Sequence, residues 1–91
     1  MALSVSLIGP PPWGFRVRGG RDFGGPLTIT KVRRGSKAVL ADLRSGDVIV
    51  EVNGELTATM LNVEAQGKIR NAMTNLKLLI DRYFPPARVL H

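Results

Sequence analysis

The segment PWGFRVRG constrains this chain most, because Gly14 stands there between two aromatic residues at the start of an alternating apolar and basic run. Glycine tolerates positive φ angles and the close approach of another group, and successive main-chain N–H groups in such a turn form an anion-binding concavity. Beyond it, Phe15 and Val17 share one face of a predicted strand, and Arg16 and Arg18 share the other. The pattern predicts an anion-binding loop that leads into a half-buried strand, as capture of a peptide C-terminus requires.

The composition indicates one small domain without disulfide or metal chemistry. The 91 residues, 44% of them hydrophobic, suffice for a single modest core. Cysteine is absent and His91 is the one histidine, which excludes thiolate sites and leaves zinc without ligands. The start of the chain lacks a basic signal-peptide region, and no apolar run approaches the roughly 18 residues that span a bilayer. We therefore expect a soluble, cytoplasmic monomer with no metal and no cofactor.

The net charge of +6 points to an acidic partner, an anionic membrane or a nucleic acid, or is simply solvated surface charge. Stacking platforms for bases are not evident, since only 5% of the residues are aromatic, and we expect no nucleic-acid partner. An anionic-membrane adaptor stays open as an alternative function. The basic residues form three groups: Arg16, Arg18 and Arg21; Lys31, Arg33, Arg34 and Lys37; Lys68 and Arg70.

Apolar alternation and turn residues divide the chain into six strands and two helices. We predict strands over residues 3–8, 15–20, 26–32, 47–52, 56–58 and 76–80, with Asn53-Gly54 as a tight turn. A short helix capped by Ser36 should turn an apolar side of Ala38, Val39 and Leu40 toward the core.

The longer helix is predicted over residues 62–71. Val63 and Ile69 are among its apolar residues at helical spacing, and Glu64 and Lys68 are spaced for an i, i+4 ion pair. Gly67 weakens the helix, because an interior glycine costs about 1 kcal/mol relative to alanine. Either the helix packs closely at this glycine or it is locally soft.

These elements, in this order, resemble a PDZ domain. The resemblance spans residues 3–82 and depends on a Pro-Trp-Gly-Phe loop in place of Gly-Leu-Gly-Phe, on LRSGDVI at residues 43–49 and on Val52-Asn53-Gly54. More narrowly, the segments GGRDF, PLTI, GSKA and EAQ followed by KI are similar to the amino-terminal PDZ domain of the ALP/Enigma proteins, which are PDZ and LIM cytoskeletal adaptors.

The resemblance implies an α+β fold, a partly open antiparallel barrel or sandwich of five to six strands capped by two helices. It implies a domain over residues 1–83, after which the Pro85-Pro86 break predicts a flexible C-terminal tail over residues 84–91. A ligand would add a strand between the second strand and the longer helix. The implied carboxylate-binding loop is Trp13, Gly14 and Phe15, and the implied peptide-binding residues are Arg16, Val17, Arg18, Asn62, Gln66 and Ile69.

Asn62 departs from the family pattern. PDZ domains that select Ser or Thr two residues before the ligand terminus usually carry His at this position. Asn can donate or accept a hydrogen bond there, or it can serve as the helix N-cap.

The resemblance further implies a scaffold that binds C-terminal peptides of α-actinin-like cytoskeletal proteins on actin filaments, stress fibres or Z-discs. We expect no enzyme activity, because Ser45 has no histidine partner except His91.

Overall fold

The computed structural model describes residues 2–83, which have the predicted α+β architecture. The elements are β1 (Ala2–Ile8), β2 (Phe15–Gly20), a 3-10 helix (Arg21–Phe23), β3 (Gly25–Val32), α1 (Lys37–Leu40), β4 (Val48–Val52), β5 (Glu55–Leu56), α2 (Asn62–Arg70) and β6 (Asn75–Asp81). The predicted tail over residues 84–91 lies outside the described residues. The strand pattern predicts β2 with its observed bounds, whereas β5 is shorter and begins one residue earlier than predicted.

The strands form one antiparallel sheet in the order β1-β6-β4-β3-β2, with β5 paired to β4 beside this path. Strands β1 and β2 are therefore the two edges. Helix α2 packs against β2, so the unpaired edge of β2 faces a helix across a groove.

The core forms where alternating apolar residues of the central strands meet. In β6, Leu76, Leu78 and Ile80 are almost fully buried, as period-two alternation predicts. In β4, Ile49 and Val52 are both buried although three residues apart, because a register shift between Ile49 and Glu51 adds one residue to the strand. The bulge lets both side chains face the same core.

A buried ion pair joins the end of β6 to the start of β4. The guanidinium of Arg82 donates to both carboxylate oxygens of Asp47 at 2.8 and 2.7 Å, and Asp47 is 2% exposed. The Arg44 N–H donates to the same carboxylate, and Arg82 also donates to the Asp42 carbonyl. The hydrogen bond to Asp47 raises the pKa of Arg82. Both charges are thus satisfied, as buried charges must be.

The predicted apolar side of α1 is wrong for two residues. Ala38 is fully buried, but Val39 and Leu40 are 42% and 84% exposed. Helix α1 has only four residues, so a single turn presents one position to the core. The predicted Ser36 cap is confirmed, because its hydroxyl accepts a hydrogen bond from the Val39 N–H.

Helix α2 also departs from its sequence pattern. Val63 is 69% exposed, and buried apolar contact comes from Ala65 and Ile69. The predicted Glu64–Lys68 pair is replaced by two other contacts. Lys68 pairs with Glu55 at 3.1 Å, and Glu64 accepts from the Leu61 N–H at the start of the helix.

Candidate functional site

A groove runs between the free edge of β2 and helix α2, and its cavity has a volume of about 460 Å³. Phe15, Arg16 and Val17 line it from β2, and Gln66, Ile69 and Arg70 line it from α2. The loop before β2 closes one end. The groove therefore brings together most of the predicted site residues.

Trp13 anchors this loop through its side chain. The indole is 4% exposed and its Nε1 donates to the Ile69 carbonyl at 2.9 Å, while the Trp13 carbonyl accepts from the Ala38 N–H. The loop is thereby held to the last turn of α2 and to α1. Trp13 is thus both a core residue and, with Gly14 and Phe15, part of the cavity wall.

Gly14 allows the sharp bend of the loop. Its φ is +91°, and a Cβ there would overlap the Ser36 side chain. Both observations require glycine at this position.

The strand register directs polar backbone groups of β2 into the groove. Pairs that exchange hydrogen bonds alternate with pairs that do not in an antiparallel ladder. The Arg33 N–H donates to the Gly14 carbonyl, so Gly14 and Arg33 are a hydrogen-bonded pair. The next pair, Phe15 with Val32, therefore exchanges no hydrogen bonds. The Phe15 N–H and C=O therefore point away from β3 and toward α2. The Gly19 carbonyl also points toward α2, because it accepts a hydrogen bond from the Asn62 side chain.

The floor of the groove beside the loop is apolar. Phe15 and Val17 are half-buried against the core, and Ile69 faces them from α2 with 8% exposure. The predicted pocket residues thus meet in one place, next to the loop.

Asn62 spans the far end of the groove. Its Nδ2 donates to the Gly19 carbonyl at 2.8 Å, and its Oδ1 accepts from Gln66 Nε2 at 2.7 Å. Asn62 is the first residue of α2 and follows the N-cap, Leu61, so the N-cap interpretation is wrong. Its own N–H donates to the carboxylate of Asp22 in the 3-10 helix. Asn62 and Gln66 therefore form a polar bridge between α2 and β2.

A sequence model of the PDZ domain matches residues 3–81. The chain belongs to the PDZ family. PDZ domains are peptide-binding modules without catalytic function, and the groove described above lies between the elements where a PDZ ligand adds its strand.

The PDZ assignment extends to particular relatives. The chain is 55% identical over 82 residues to PDZ and LIM domain protein 2 of Rattus norvegicus and 51% identical to PDZ and LIM domain protein 4 of Gallus gallus. It is 49% identical to LIM domain-binding protein 3 of Homo sapiens. Each match covers 90% of this chain but only 24%, 25% and 11% of those proteins, so the chain spans at most a quarter of their length. The resemblance to the PDZ domains of PDZ and LIM proteins is confirmed.

A solved PDZ structure has the same fold. It is the complex of the third PDZ domain of INAD with the tail of the TRP channel. It is similar with a TM-score of 0.79 and 25% identity, and the match covers 90% of this chain and 87% of that chain.

Three basic residues of this PDZ groove are absent from the site predicted by sequence. Lys31, Arg33 and Arg70 line the cavity together with Arg16. The sequence points to these three residues only through their neighbours in the site. Lys31 is the strand partner of Arg16, and the Arg33 N–H donates to the Gly14 carbonyl. Arg70 directly follows Ile69 in the chain. Arg18 lies elsewhere, in a second cavity of about 570 Å³ lined also by Phe23, Pro26 and Thr28.

Residues 2–83 hold no group of three or more His, Cys, Asp or Glu side chains placed to bind a metal ion. No helix in the described part of the chain is long and apolar enough to cross a bilayer.

Proposed function

We propose that this PDZ domain captures the C-terminal peptide of cytoskeletal partner proteins by adding it as an antiparallel strand between β2 and α2. The observation that carries this proposal is the outward direction of the Phe15 backbone groups, beside a loop that contains Gly14 at φ +91°. A free edge strand offers an extended peptide the hydrogen bonds it needs.

The ligand carboxylate would accept hydrogen bonds from main-chain N–H groups of Trp13, Gly14 and Phe15. Such charge-assisted bonds are stronger than neutral ones. The last side chain would enter the apolar floor formed by Phe15, Val17 and Ile69. Burial of a Leu or Val there contributes roughly 1.5–3 kcal/mol before ordering costs, so the terminal residue dominates selectivity. We expect micromolar affinity, because the interface is small and the peptide must become ordered.

The relatives support a cytoskeletal partner. On the resemblance to PDZ and LIM proteins we propose α-actinin-like partners and a cytoplasmic position on actin filaments, stress fibres or Z-discs. One observation favours a peptide over an anionic membrane as the ligand of the basic residues: Arg33 lines the groove in which the peptide would lie.

Fluorescence polarisation with a labelled hexapeptide that ends in Leu tests this proposal. The peptide is measured with a free C-terminus and as the C-terminal amide. Both forms meet the same folded wild-type protein, so a difference between them cannot come from misfolding. We expect saturable binding of the free acid and its loss on amidation, and a Phe15→Asp variant should bind neither. Equal binding of acid and amide would overturn carboxylate capture. Sedimentation with vesicles containing phosphatidylserine would then measure the membrane alternative.

A further inference from the structure

Strand β1 is the edge of the sheet that lies farthest from the groove. Within residues 2–83 its strand partner is β6, and the pairing runs from Ala2 to Ile8 without a register shift. The other edge, β2, carries Arg16 and Arg18, has two register shifts and packs against α2. Charges, bulges and a covering helix protect a sheet edge from pairing with another chain. Strand β1 contains no charged residue, no proline and no bulge, so its edge is open.

The pairing of β1 with β6 shows which of its backbone groups point to the open edge. The Gly9 N–H donates to the Thr74 carbonyl at 2.7 Å, so the preceding pair, Ile8 with Asn75, exchanges no hydrogen bonds. This alternation continues along the unbroken register to the start of the strand. The residues whose N–H and C=O groups point away from β6 are therefore Ala2, Ser4, Ser6 and Ile8.

The sequence of β1 is symmetric about its centre. Residues 3–7 read LSVSL, which is the same in both directions. A second copy of β1 that pairs antiparallel about Val5 therefore places its own Ser6 opposite Ser4 and its own Ser4 opposite Ser6. Because the backbone groups of both serines point outward, this register gives those groups hydrogen-bond partners. A shift by one residue would instead place them opposite groups that already bond to β6.

The side chains of β1 match in the same register. On the core side, Leu3 and Val5 are only half-buried within one copy. In the symmetric pairing Leu3 lies opposite the second copy's Leu7, and the two Val5 residues face each other, so the apolar faces become continuous. On the outer side, Ile8 is 75% exposed and lies opposite the second copy's Ala2. Such apolar cross-strand pairs stabilise antiparallel strands.

We propose that two copies of this domain associate through β1, paired antiparallel about Val5, in a dimer with one continuous sheet. The strand order runs β2-β3-β4-β6-β1 through one copy and in reverse through the other, so both grooves lie at the far ends of the joined sheet. The dimer does not rest on the proposed function, and its two grooves stay open to ligands. A single strand pair forms a small interface, so we expect a dissociation constant on the order of 100 µM. The monomer expected from the sequence is the form that prevails at low concentration.

A concentration series of the wild-type protein tests the dimer without any substitution. In sedimentation equilibrium, the weight-average mass should rise from near that of one copy at about 10 µM toward that of two copies at about 1 mM. Heteronuclear NMR spectra over the same range should show shifts of the Ser4, Ser6 and Ile8 amides, because their N–H groups gain acceptors. The Leu3 and Val5 amides already donate to β6 and should shift less.

Charge-swap variants test the register of the dimer. Ser4 and Ser6 are exposed, so the fold should tolerate charged side chains there. Ser4→Lys combined with Ser6→Lys places like charges directly opposite each other and should weaken association about tenfold, as should Ser4→Glu combined with Ser6→Glu. An equal mixture of these two double variants should associate again, because each lysine then faces a glutamate. Ala58→Lys combined with Thr59→Lys is the charge-matched control, since both residues are exposed and lie outside β1, and it should associate like the wild type.

Three results would overturn the proposal. A constant mass across the concentration series would show that the wild-type protein does not dimerise. Equal association of the wild type and the lysine double variant would place the interface on another surface. A mixture that stays monomeric would show that the substitutions act through net charge or the fold and not through strands opposed in this register. No peptide enters these measurements, so their failure leaves the proposed peptide capture intact, and failure of peptide capture leaves the dimer intact.

Discussion

The indole of Trp13 is joined to the main chain of Ile69, with Nε1 donating to the carbonyl oxygen at 2.9 Å. The two residues are 56 positions apart in the sequence and both are buried. One hydrogen bond thus fixes the distance between the loop that would hold the ligand carboxylate and the helix that forms the opposite wall. Groove width and fold stability are coupled through this contact.

Trp13→Phe should therefore weaken both folding and binding. The Ile69 carbonyl would lose the indole donor and keep the longer hydrogen bond from the Ala72 N–H at 3.4 Å, so the loss costs about 0.5–1.5 kcal/mol. We expect the free energy of unfolding in urea to fall by that amount and peptide affinity to fall in the same variant. Tyr83→Phe is the control, because Tyr83 is 79% exposed and its loss of a hydroxyl should change stability by less than about 0.5 kcal/mol. An unchanged unfolding curve for Trp13→Phe would contradict the coupling.

Arg82→Met should destabilise the fold strongly. It leaves the Asp47 carboxylate buried without its cation, a loss of about 3–5 kcal/mol. Adding Asp47→Asn should recover part of this loss, because no uncompensated charge then remains. Arg44→Gln removes an exposed pair with Asp42 and should cost less than about 1 kcal/mol. Chemical denaturation measures these losses. If the variant that carries both Arg82→Met and Asp47→Asn lost as much stability as the two single variants together, Arg82 and Asp47 would act independently, which would contradict the prediction.

Gly67→Ala should stabilise the domain by about 0.5–1 kcal/mol. A Cβ at this position meets no atom within 4 Å, so close packing does not explain the glycine and the helical preference of alanine should dominate. Gly54→Ala is the contrast, since its surroundings are equally open but its φ is +83°, and it should destabilise. Thermal denaturation of both variants checks the prediction, which a destabilised Gly67→Ala would contradict.

Asn62→Ala should lengthen the ligand segment that the groove accommodates. The Gly19 carbonyl would lose its Asn62 donor and could accept instead from the ligand residue four places before the last one. In the wild type we expect affinity to reach a plateau at four residues, whereas in the variant it should rise further as peptides grow from four to six. Calorimetric titration with a length series measures this. Gains of equal size in both proteins would mean that the Asn62 bridge does not limit the strand.

Local patterns predict the parts of this fold that local chemistry decides. Period-two alternation gives β2, and Asn53-Gly54 gives the turn after β4, where both residues have positive φ. The Ser36 cap follows from the preference of its hydroxyl for a free N–H.

Local sequence patterns do not predict features that depend on residues distant in the chain. The exposure of Leu40 depends on the length of α1, and Lys68 pairs with Glu55 rather than with its helical neighbour because β5 brings that carboxylate close. The same holds for the Asp47–Arg82 pair, which joins residues 35 positions apart.

The site residues also fall into those that a local motif identifies and those that depend on distant parts of the chain. Gly14 and Phe15 can be identified from a short motif, because one loop creates both the bend and the outward N–H group. Lys31 and Arg33 reach the groove only through the pairing of β3 with β2, and Arg70 only through the packing of α2. The basic lining of the groove is therefore a property of the tertiary structure.

Amide chemical-shift mapping by heteronuclear NMR tests the central claim most directly. An isotope-labelled domain is titrated with one hexapeptide as the free acid and as the amide. Strand addition with carboxylate capture predicts large changes at the Gly14, Phe15 and Val17 amides with the free acid and much smaller changes with the amide. Changes confined to β1, or identical with both peptides, would contradict ligand capture in the groove between β2 and α2.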